Sequence, residues 1–445
     1  MRGEIARAVI ATTTQPRRGL RAGTSLRGSA RRRGTGGEDA RDDVPGWAEM
    51  SVTTVGPIRA VLATDDHAAA IAAFYREVWN PNATAELFVA SRRQAAADNV
   101  AAPGEPPPIA IVLEGDRVIG YCGSVPQRLW DGVAEHPAYW VKGLMVLPEY
   151  RRGPIGYLVW QQMAAQLTRA TMTIVTPAAQ RLFSASGYSD LGAMTNFVRL
   201  LRPGRLAQRL DVAGLGLGLP RWIAVGARLA QRAGLAGVAG AGVGVVADLA
   251  ARATRRASAR FNTDCTIEPP SRDELDELWR EARGSIAASP VRDGLYLRWR
   301  FGADGTAPGL GPEGDESRYL FITAREDTRL AGIAVLLQPR EHSDPRLRGA
   351  RVATISDIVF PANRDAVGLA LLAGAERAAR ARHADAILCS ATHRALARLL
   401  RRQSYLPLPG NVHFYHRDAT GVTRWPLDLG SWWLTRGDGG ADEVF

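Results

Sequence analysis

The sequence predicts an α/β protein with mixed sheets, built as two tandem domains of one plan joined by a helical connector. Three observations carry this. The same order of apolar runs, turn residues and amphipathic stretches occurs twice, and matching residues keep a nearly constant spacing: Gly120 and Gly332 are 212 positions apart, Pro148 and Pro361 are 213, and Tyr188 and Tyr405 are 217. Spacings that steady indicate a tandem duplication. Within each copy, strand-like and helix-like segments alternate, which suits a sheet covered by helices. Between the copies, residues 203–260 are dominated by Ala, Gly, Leu and Arg, the composition of a connector rather than of a third core.

The elements follow in order. The first copy, residues 50–202, begins with a strand at IRAVLAT and a helix at DDHAAAIAAFYREVW, with Ile71, Phe74, Tyr75 and Val78 at helical spacing. TAELFVASRRQAAADN is a second helix, ended by the prolines at 106–108. IAIVLEGDRVIGYCGSV is a hairpin turning at Gly115 and Asp116. AYWVKGLMV is a further strand, and from Pro154 a helix presents Ile155, Leu158, Val159, Met163 and Leu167 on one face. Strand MTIV, helix PAAQRLFSAS with Gly187 at its end, and a last strand near NFVRLL complete the copy. The second copy, residues 261–418, opens with a capping box at Ser271 and Glu274. It repeats the hairpin as REDTRLAGIAVLL, the strand-turn-helix as SDIVFPANRDAVGLALL, and the closing helix as RLLRRQSYLPL. Residues 419–445 are a Trp-rich and acidic tail. Trp425, Trp432 and Trp433 are expected to pack on the second domain, and the end from Asp438 is expected to fray.

Composition narrows the function classes. At 445 residues the chain exceeds one ordinary core. Its net charge of +11 is carried by arginine, Lys142 being the sole lysine, and ten arginines against six acids put about +4 into residues 1–49. The remainder is diffuse, as on a solvated surface, so nucleic acid is an unlikely partner. Residues 1–49 lack the apolar stretch of a secretory signal, so Met50 is expected to be the initiator or the leader to be disordered. The uncharged run at 233–247 is too short and glycine-rich to span a bilayer, although Trp222 and nearby arginines leave a peripheral membrane contact open. Cys122, Cys265 and Cys389 fit no CxxC pattern and are expected to be buried thiols of a cytoplasmic protein. No metal spacing is present, since His413 and His416 lack acidic companions in the sequence. The oligomeric state stays open.

Chemistry concentrates in GLMVLPEYRRGPIGYLV, Gly143–Val159. A strand that turns sharply into a helix aims unpaired backbone N–H groups and the positive end of a helix dipole at one point, which makes an anion site. Gly153 and Gly156 leave room for a phosphate, Arg151 and Arg152 add charge, and Pro154 suits a first helical turn. The stretch resembles the acyl-CoA-binding motif of the GCN5-related N-acetyltransferase (GNAT) superfamily, V-x-P, two residues, then [RQ]-x-x-G-x-[GA]. Val146, Pro148, Arg151 and Gly156 match it, and Pro154 replaces the central glycine. The element order from Ile58 to Leu201 also follows that family.

The resemblance implies an N-acetyltransferase that moves acetyl from acetyl-CoA, or another acyl group from its CoA ester, to the amine of a small molecule, an amino sugar or another cell-envelope precursor. It implies that backbone groups of Arg151, Arg152, Gly153, Ile155 and Gly156 hold the pyrophosphate, with Pro154 lacking a donor. The N–H of Leu144 would polarise the thioester carbonyl, and Leu144, Met145 and Val146 would line the pantetheine arm. The family's usual acid, a tyrosine, is Phe183 here; Tyr188 is the nearest alternative, and Thr176 stands where an asparagine is common. Glu135, His136 and Glu149 are candidate bases, and direct attack with a water relay is the other route. In the second copy Arg364 matches Arg151, but Val367 and Leu369 replace Pro154 and Gly156, so CoA binding is expected to be lost there. That copy would instead shape the acceptor pocket through RDGLYLRWRF, Arg292–Phe301. Two other readings stay open: a FemAB-type transferase fed by aminoacyl-tRNA, and a non-catalytic CoA-binding or scaffold protein.

Overall fold

A computed structural model describes residues 58–174, 176–209, 248–249, 251, 260–302, 318–341, 349–410 and 412–439. The expected leader and most of the expected connector lie outside them. The first copy comprises β1 (Ile58–Leu62), α1 (Ala68–Val78), α2 (Ala85–Ala97), β2 (Ile109–Glu114), β3 (Arg117–Trp130), β4 (Glu135–Val146), α3 (Ile155–Ala164), β5 (Arg169–Ile174), α4 (Pro177–Ala185), β6 (Ser189–Ala193) and β7 (Thr195–Leu200). After α5 (Pro203–Arg209) come β8 (Asn262–Thr266), α6 (Arg272–Arg283), β9 (Ser289–Pro290), α7 (Gly294–Phe301), β10 (Tyr319–Glu326), β11 (Arg329–Glu341), β12 (Arg351–Val359), α8 (Asp365–Ala381), β13 (Ala386–Ala391), α9 (Arg394–Arg402), β14 (Leu406–Leu408) and β15 (His413–Asp418).

Local chemistry accounts for the helix starts. Thr84 caps α2 by accepting from the Leu87 N–H at 3.2 Å. The capping box at Ser271 and Glu274 opens α6, and Asp293 caps α7 through the Tyr296 N–H at 2.9 Å. The two matched glycines also have a reason: a Cβ on Gly120 would stand 2.8 Å from Ile155, and one on Gly332 would stand 2.6 Å from Val367. Each lets the helix after the elbow lie close on the third strand of its sheet. Among the described residues no helix is long and apolar enough to cross a membrane.

The sheets reveal what the repeat conceals. One runs β1-β2-β3-β4-β5-β15-β6, with β9 attached to β3; the other runs β14-β7-β13-β12-β11-β10-β8. Each copy therefore gives its last strand to the other. The run NFVRLL does not finish the first sheet, as expected from sequence; as β7 it pairs with β13, Phe197 opposite Cys389, while β15 pairs with β5, Tyr415 opposite Met172. The reason is a matter of length: only Met194 separates β6 from β7, and the shortest common hairpin loop needs two residues. The chain continues outward and crosses over. At the crossing the Met194 N–H donates to the Val412 carbonyl at 2.9 Å, and a Cβ on Gly410 would fall 1.6 Å from the Met194 oxygen. Ala60–Phe445 accordingly form one unit rather than two separable ones.

Charge and packing agree with the exchange. Arg199 on β7 is 1% exposed and reaches Glu376 of α8 at 3.6 Å, with Asp248 also bonded to its guanidinium. A buried arginine needs such partners, and in its own copy's sheet it would not meet Glu376. The main core joins Phe197 to the second copy's Phe321, Leu336 and Leu371, and a smaller one joins Trp140, Met194, Phe414 and Trp432. The tail also departs from expectation. Trp425 and Trp432 stack with each other and pack on His416 of β15, the second-copy strand that lies in the first sheet, whereas Trp433 packs against Phe360 beside the second sheet. Asp438 is not frayed but buried, at 2% exposure. Cys122 and Cys389 are buried, whereas Cys265 is exposed because β8 is an edge strand.

Two outcomes follow. Gly410→Val should destabilise the chain by about 3 kcal/mol, since the Met194 carbonyl has to be displaced; urea unfolding measures it. Burial holds the rings of His393 and His416 neutral, with pKa pushed down to about 4 from about 6.5. The unfolded chain then binds more protons in that interval, so the urea midpoint should fall as pH drops from about 6.5 to 4 and stay flat above it with respect to these groups.

Candidate active site

The site begins where β4 loses its partners. Against β3 the register slips by one residue: Met145 faces Tyr121, but Lys142 faces Gly123, so Gly143 and Leu144 share one position opposite Cys122. This is a β-bulge, and Gly143 takes φ +71°, a conformation glycine adopts without strain. On its other side β4 pairs with β5 only at Tyr139–Ala170 and Trp140–Thr171. From Val141 to Val146 it runs on without a β5 partner, which opens a cleft between two parallel strands. The bulge lies within this unpaired stretch and changes the direction of the backbone at Leu144.

Past Val146 the chain turns through Pro148–Tyr150 into α3, with Pro154 at its N-cap. Some donors of this elbow are satisfied internally: Arg151 N–H on the Pro148 carbonyl at 3.4 Å and Gly153 N–H on the Tyr150 carbonyl at 3.1 Å. Among the described residues, no acceptor meets the N–H groups of Arg152, Ile155 and Gly156. The Arg151 side chain folds back so that Nε donates to the Val146 carbonyl at 3.1 Å, and Arg152 is exposed. A Cβ on Gly156 would meet only Val146, at 3.8 Å, and one on Gly153 only the Tyr150 carbonyl, at 3.6 Å. Neither glycine is demanded by a positive φ or by the protein's own packing. Both keep the approach to the open N–H groups clear, as a bound diphosphate requires.

The second elbow has the opposite character. The Ala362 N–H is taken by Ser285 Oγ at 2.7 Å, and those of Val367 and Gly368 by the Arg364 carbonyl at 3.0 and 3.4 Å. The Arg364 guanidinium is held by Glu281 at 3.2 Å and Glu326 at 2.5 Å. Val367 and Leu369 are buried, and a Cβ on Gly368 would lie 2.5 Å from Leu399 and 2.7 Å from Phe360. Side chains fill the place that the first elbow leaves open.

Compared with known proteins, the sequence matches no protein-family model, and a search of curated proteins finds no significant relative. Solved structures do resemble it. A GCN5-related N-acetyltransferase from Anabaena variabilis superposes with TM-score 0.50 at 13% identity, over 81% of this chain and 73% of that one. The fold is GNAT-like. A probable N-acyltransferase of unknown function from Enterococcus faecalis gives TM-score 0.48 at 9% identity over 81% and 73% of the two chains. A tandem GNAT protein from the clavulanic acid biosynthesis pathway gives 0.40 at 14% identity over 81% and 98%.

Within this GNAT-like fold, Leu144, Met145 and Val146 lie on the stretch of β4 that has no β5 partner, and the Arg151–Gly156 elbow follows it directly in the chain. The candidate acids and bases are taken up by other contacts. Glu135 and His136 lie at the far end of β4, nine and eight residues from Leu144 in the chain, or roughly 25–30 Å at the strand rise. There Glu135 accepts from Arg128 at 2.7 Å and Arg283 at 2.9 Å, and His136 meets Asp131 at 2.7 Å, so both tie turns and copies together. Glu149 pairs with Arg117 at 3.0 Å on the surface. Tyr188 packs between Trp160 and Phe183, with ring centroids 5.3 and 5.9 Å away. Burial pushes its phenol up to about 12, making it a weaker acid than usual. Among the described residues, no group of His, Cys, Asp or Glu is placed to hold a metal ion.

A cavity of about 40 Å³ adjoins the bulge. Gln127, Trp140 and Lys142 of the first sheet face Tyr296 and Trp299 of α7 across it, so the segment expected from Arg292–Phe301 does reach the first copy, and Asp438 of the tail closes one side. Sequence reasoning missed Asp438, whose only signal was its nearness to the tail tryptophans. A surface depression of about 620 Å³ opens at the outer edge of the second sheet among Asp264, Cys265, Pro269, Arg325 and Arg382; no residue of the first copy lines it.

The contrast between elbows is measurable. Gly156→Ala should leave stability unchanged or raise it by up to about 1 kcal/mol, because helix propensity improves and the Cβ enters open space. Gly368→Ala should lower it by about 2 kcal/mol through collision with Phe360 and Leu399, read from paired urea melts.

Proposed function

We propose that the protein is an acyl-CoA-dependent N-acyltransferase, most simply an N-acetyltransferase, whose first copy binds the donor. The observation that carries this reading is the open elbow: three unmatched N–H groups at the start of a ten-residue helix, flanked by two glycines with no internal reason to be glycine. The pyrophosphate of CoA would sit on the N–H groups of Arg152, Ile155 and Gly156, with the Arg151 and Arg152 side chains nearby. The pantetheine arm would lie along Val146 and Met145 in the cleft, which sets the thioester beside Leu144. A donor aimed at the carbonyl oxygen there strengthens as negative charge develops, worth about 2.7–4 kcal/mol of barrier.

The second copy serves as a wall rather than a second site, its elbow being filled by Phe360, Val367 and Leu369 and its arginine neutralised. An amine acceptor would enter between Trp140 and the aromatic side chains of α7. The rings offer faces to an amine, and Asp438 offsets part of the positive charge that Lys142 and Arg300 bring to the same wall. An acceptor larger than this cavity of about 40 Å³ would require α7 or the tail to shift.

Equilibrium titration with acetyl-CoA tests the reading directly. One site per chain is expected, and Gly156→Leu should weaken it about 10- to 100-fold at unchanged stability. Two equal sites, or no binding, would remove the reading.

A further inference from the structure

The tail does more than cover a core. In the second sheet β12 and β13 pair only from Val352–Ala386 to Ile355–Cys389 and then part. The segment from Trp432 to Asp438 lies in that gap. On the β12 side, Trp433 Nε1 donates to the Ile358 carbonyl at 2.9 Å and the Gly437 N–H to the Ser356 carbonyl at 2.6 Å. On the β13 side, the Leu434 N–H donates to Thr392 Oγ1 at 3.0 Å, and Thr435 bridges Ala391. The chain thus fills its own second cleft, and in doing so it carries a carboxylate to the wall of the first copy's cavity.

That carboxylate, Asp438, is buried and half used. Its Oδ2 accepts from Arg292 Nη2 at 2.6 Å and from the Thr435 N–H at 2.7 Å, whereas Oδ1 has no partner among the described residues. A buried carboxylate oxygen without a donor is costly, and among the buried side-chain polar atoms that lack a partner among the described residues this is the one carried by a residue that lines the cavity. Arg292 does not need the oxygen, since Asp357 already accepts from its Nε at 2.9 and 3.1 Å. Burial raises the Asp438 carboxyl to about 6; the Asp357 charge adds to this and Arg292 opposes it. The charged and titratable groups around it are Arg292 and Asp357 beneath, Tyr296 and Arg300 on α7, and Lys142 on β4.

We propose that Asp438 is the proton acceptor of the transfer reaction, receiving through Oδ1 a proton from an ammonium acceptor held between Trp140 and α7; the proposal rests on the acyltransferase reading above. The acceptor arrives as R–NH3+. One N–H proton passes to Oδ1, and the freed lone pair attacks the thioester carbon. The C–N bond forms while the carbonyl π pair moves to oxygen beside Leu144. The oxygen pair then returns, the C–S bond breaks, and the remaining extra proton on nitrogen goes to the departing thiolate, giving amide and CoA thiol. Asp438 releases its proton to solvent.

The test compares two acceptors on the full chain with acetyl-CoA as donor: n-propylamine, protonated at neutral pH, and hydroxylamine, largely unprotonated there. Asp438→Asn should lower kcat/KM for propylamine about 100-fold or more, abolish the rise of that parameter between pH 5 and 7, and spare hydroxylamine within a few-fold. Acetyl-CoA affinity should be unchanged by calorimetry. Equal loss with both acceptors, or no loss with either, would overturn the proposal. Should the Asn variant unfold, Asp438→Glu decides: retained propylamine turnover with a displaced pH limb supports a proton acceptor, and retained turnover with an unmoved limb refutes it. A wild-type chain that neither binds acetyl-CoA nor acetylates either amine would instead sink the acyltransferase reading itself.

Discussion

The crossing of the chain at Met194 is the constraint on which most else depends. A single residue between β6 and β7 leaves no room for a reversal, so the strand departs for the other sheet, and β15 returns the exchange. Strand pairing of this kind joins the copies through backbone hydrogen bonds as well as side-chain burial. It places Arg199 beside Glu376 and brings the crossings into contact at Gly410. It also explains why α7 of the second copy and the tail lie along the first sheet, where the candidate acceptor cavity forms.

Duplication with exchange gives two clefts of one topology and opposite fates. Both form where parallel strands part, β4 from β5 and β12 from β13, after a few paired residues. The first keeps free N–H groups, glycines without packing neighbours and a bulge that redirects Leu144. The second is closed twice, at the elbow by buried apolar side chains and along the cleft by residues Trp432–Asp438. A fold that repeats its backbone need not repeat its chemistry, because an anion can bind helix N-terminal amides only where those amides are free and approachable.

Buried charge is distributed with the same economy. Arg292, Asp357, Thr435 and Asp438 form a closed network in which Arg292 satisfies both acids. One oxygen of this network is left over, on a residue that lines the cavity. In a low-dielectric setting an unpaired carboxylate oxygen is a better proton acceptor than an exposed one.

Much of this was legible in the residues themselves. The repeat spacing, the strand-turn-helix at Gly143–Val159, and the contrast of Gly156 with Leu369 are local patterns, and local sterics decide them: open space adjoins Gly156, whereas Leu369 is buried. The sequence likewise marked Phe183 as unable to give a proton. Strand pairing was another matter, for the pattern of NFVRLL suits either sheet and only chain reach and the distant Glu376 select one. Glu135 and His136 looked close to the motif because they share its strand, but an extended strand separates them from Leu144 by roughly 25–30 Å. Asp438 read as part of a frayed acidic end, since its partner Arg292 is 146 residues away and its burial depends on a cleft that no local pattern describes. What short-range geometry controls could be read from the chain; which strands meet, and which carboxylate is thereby buried, was settled only when the tertiary fold brought remote segments together.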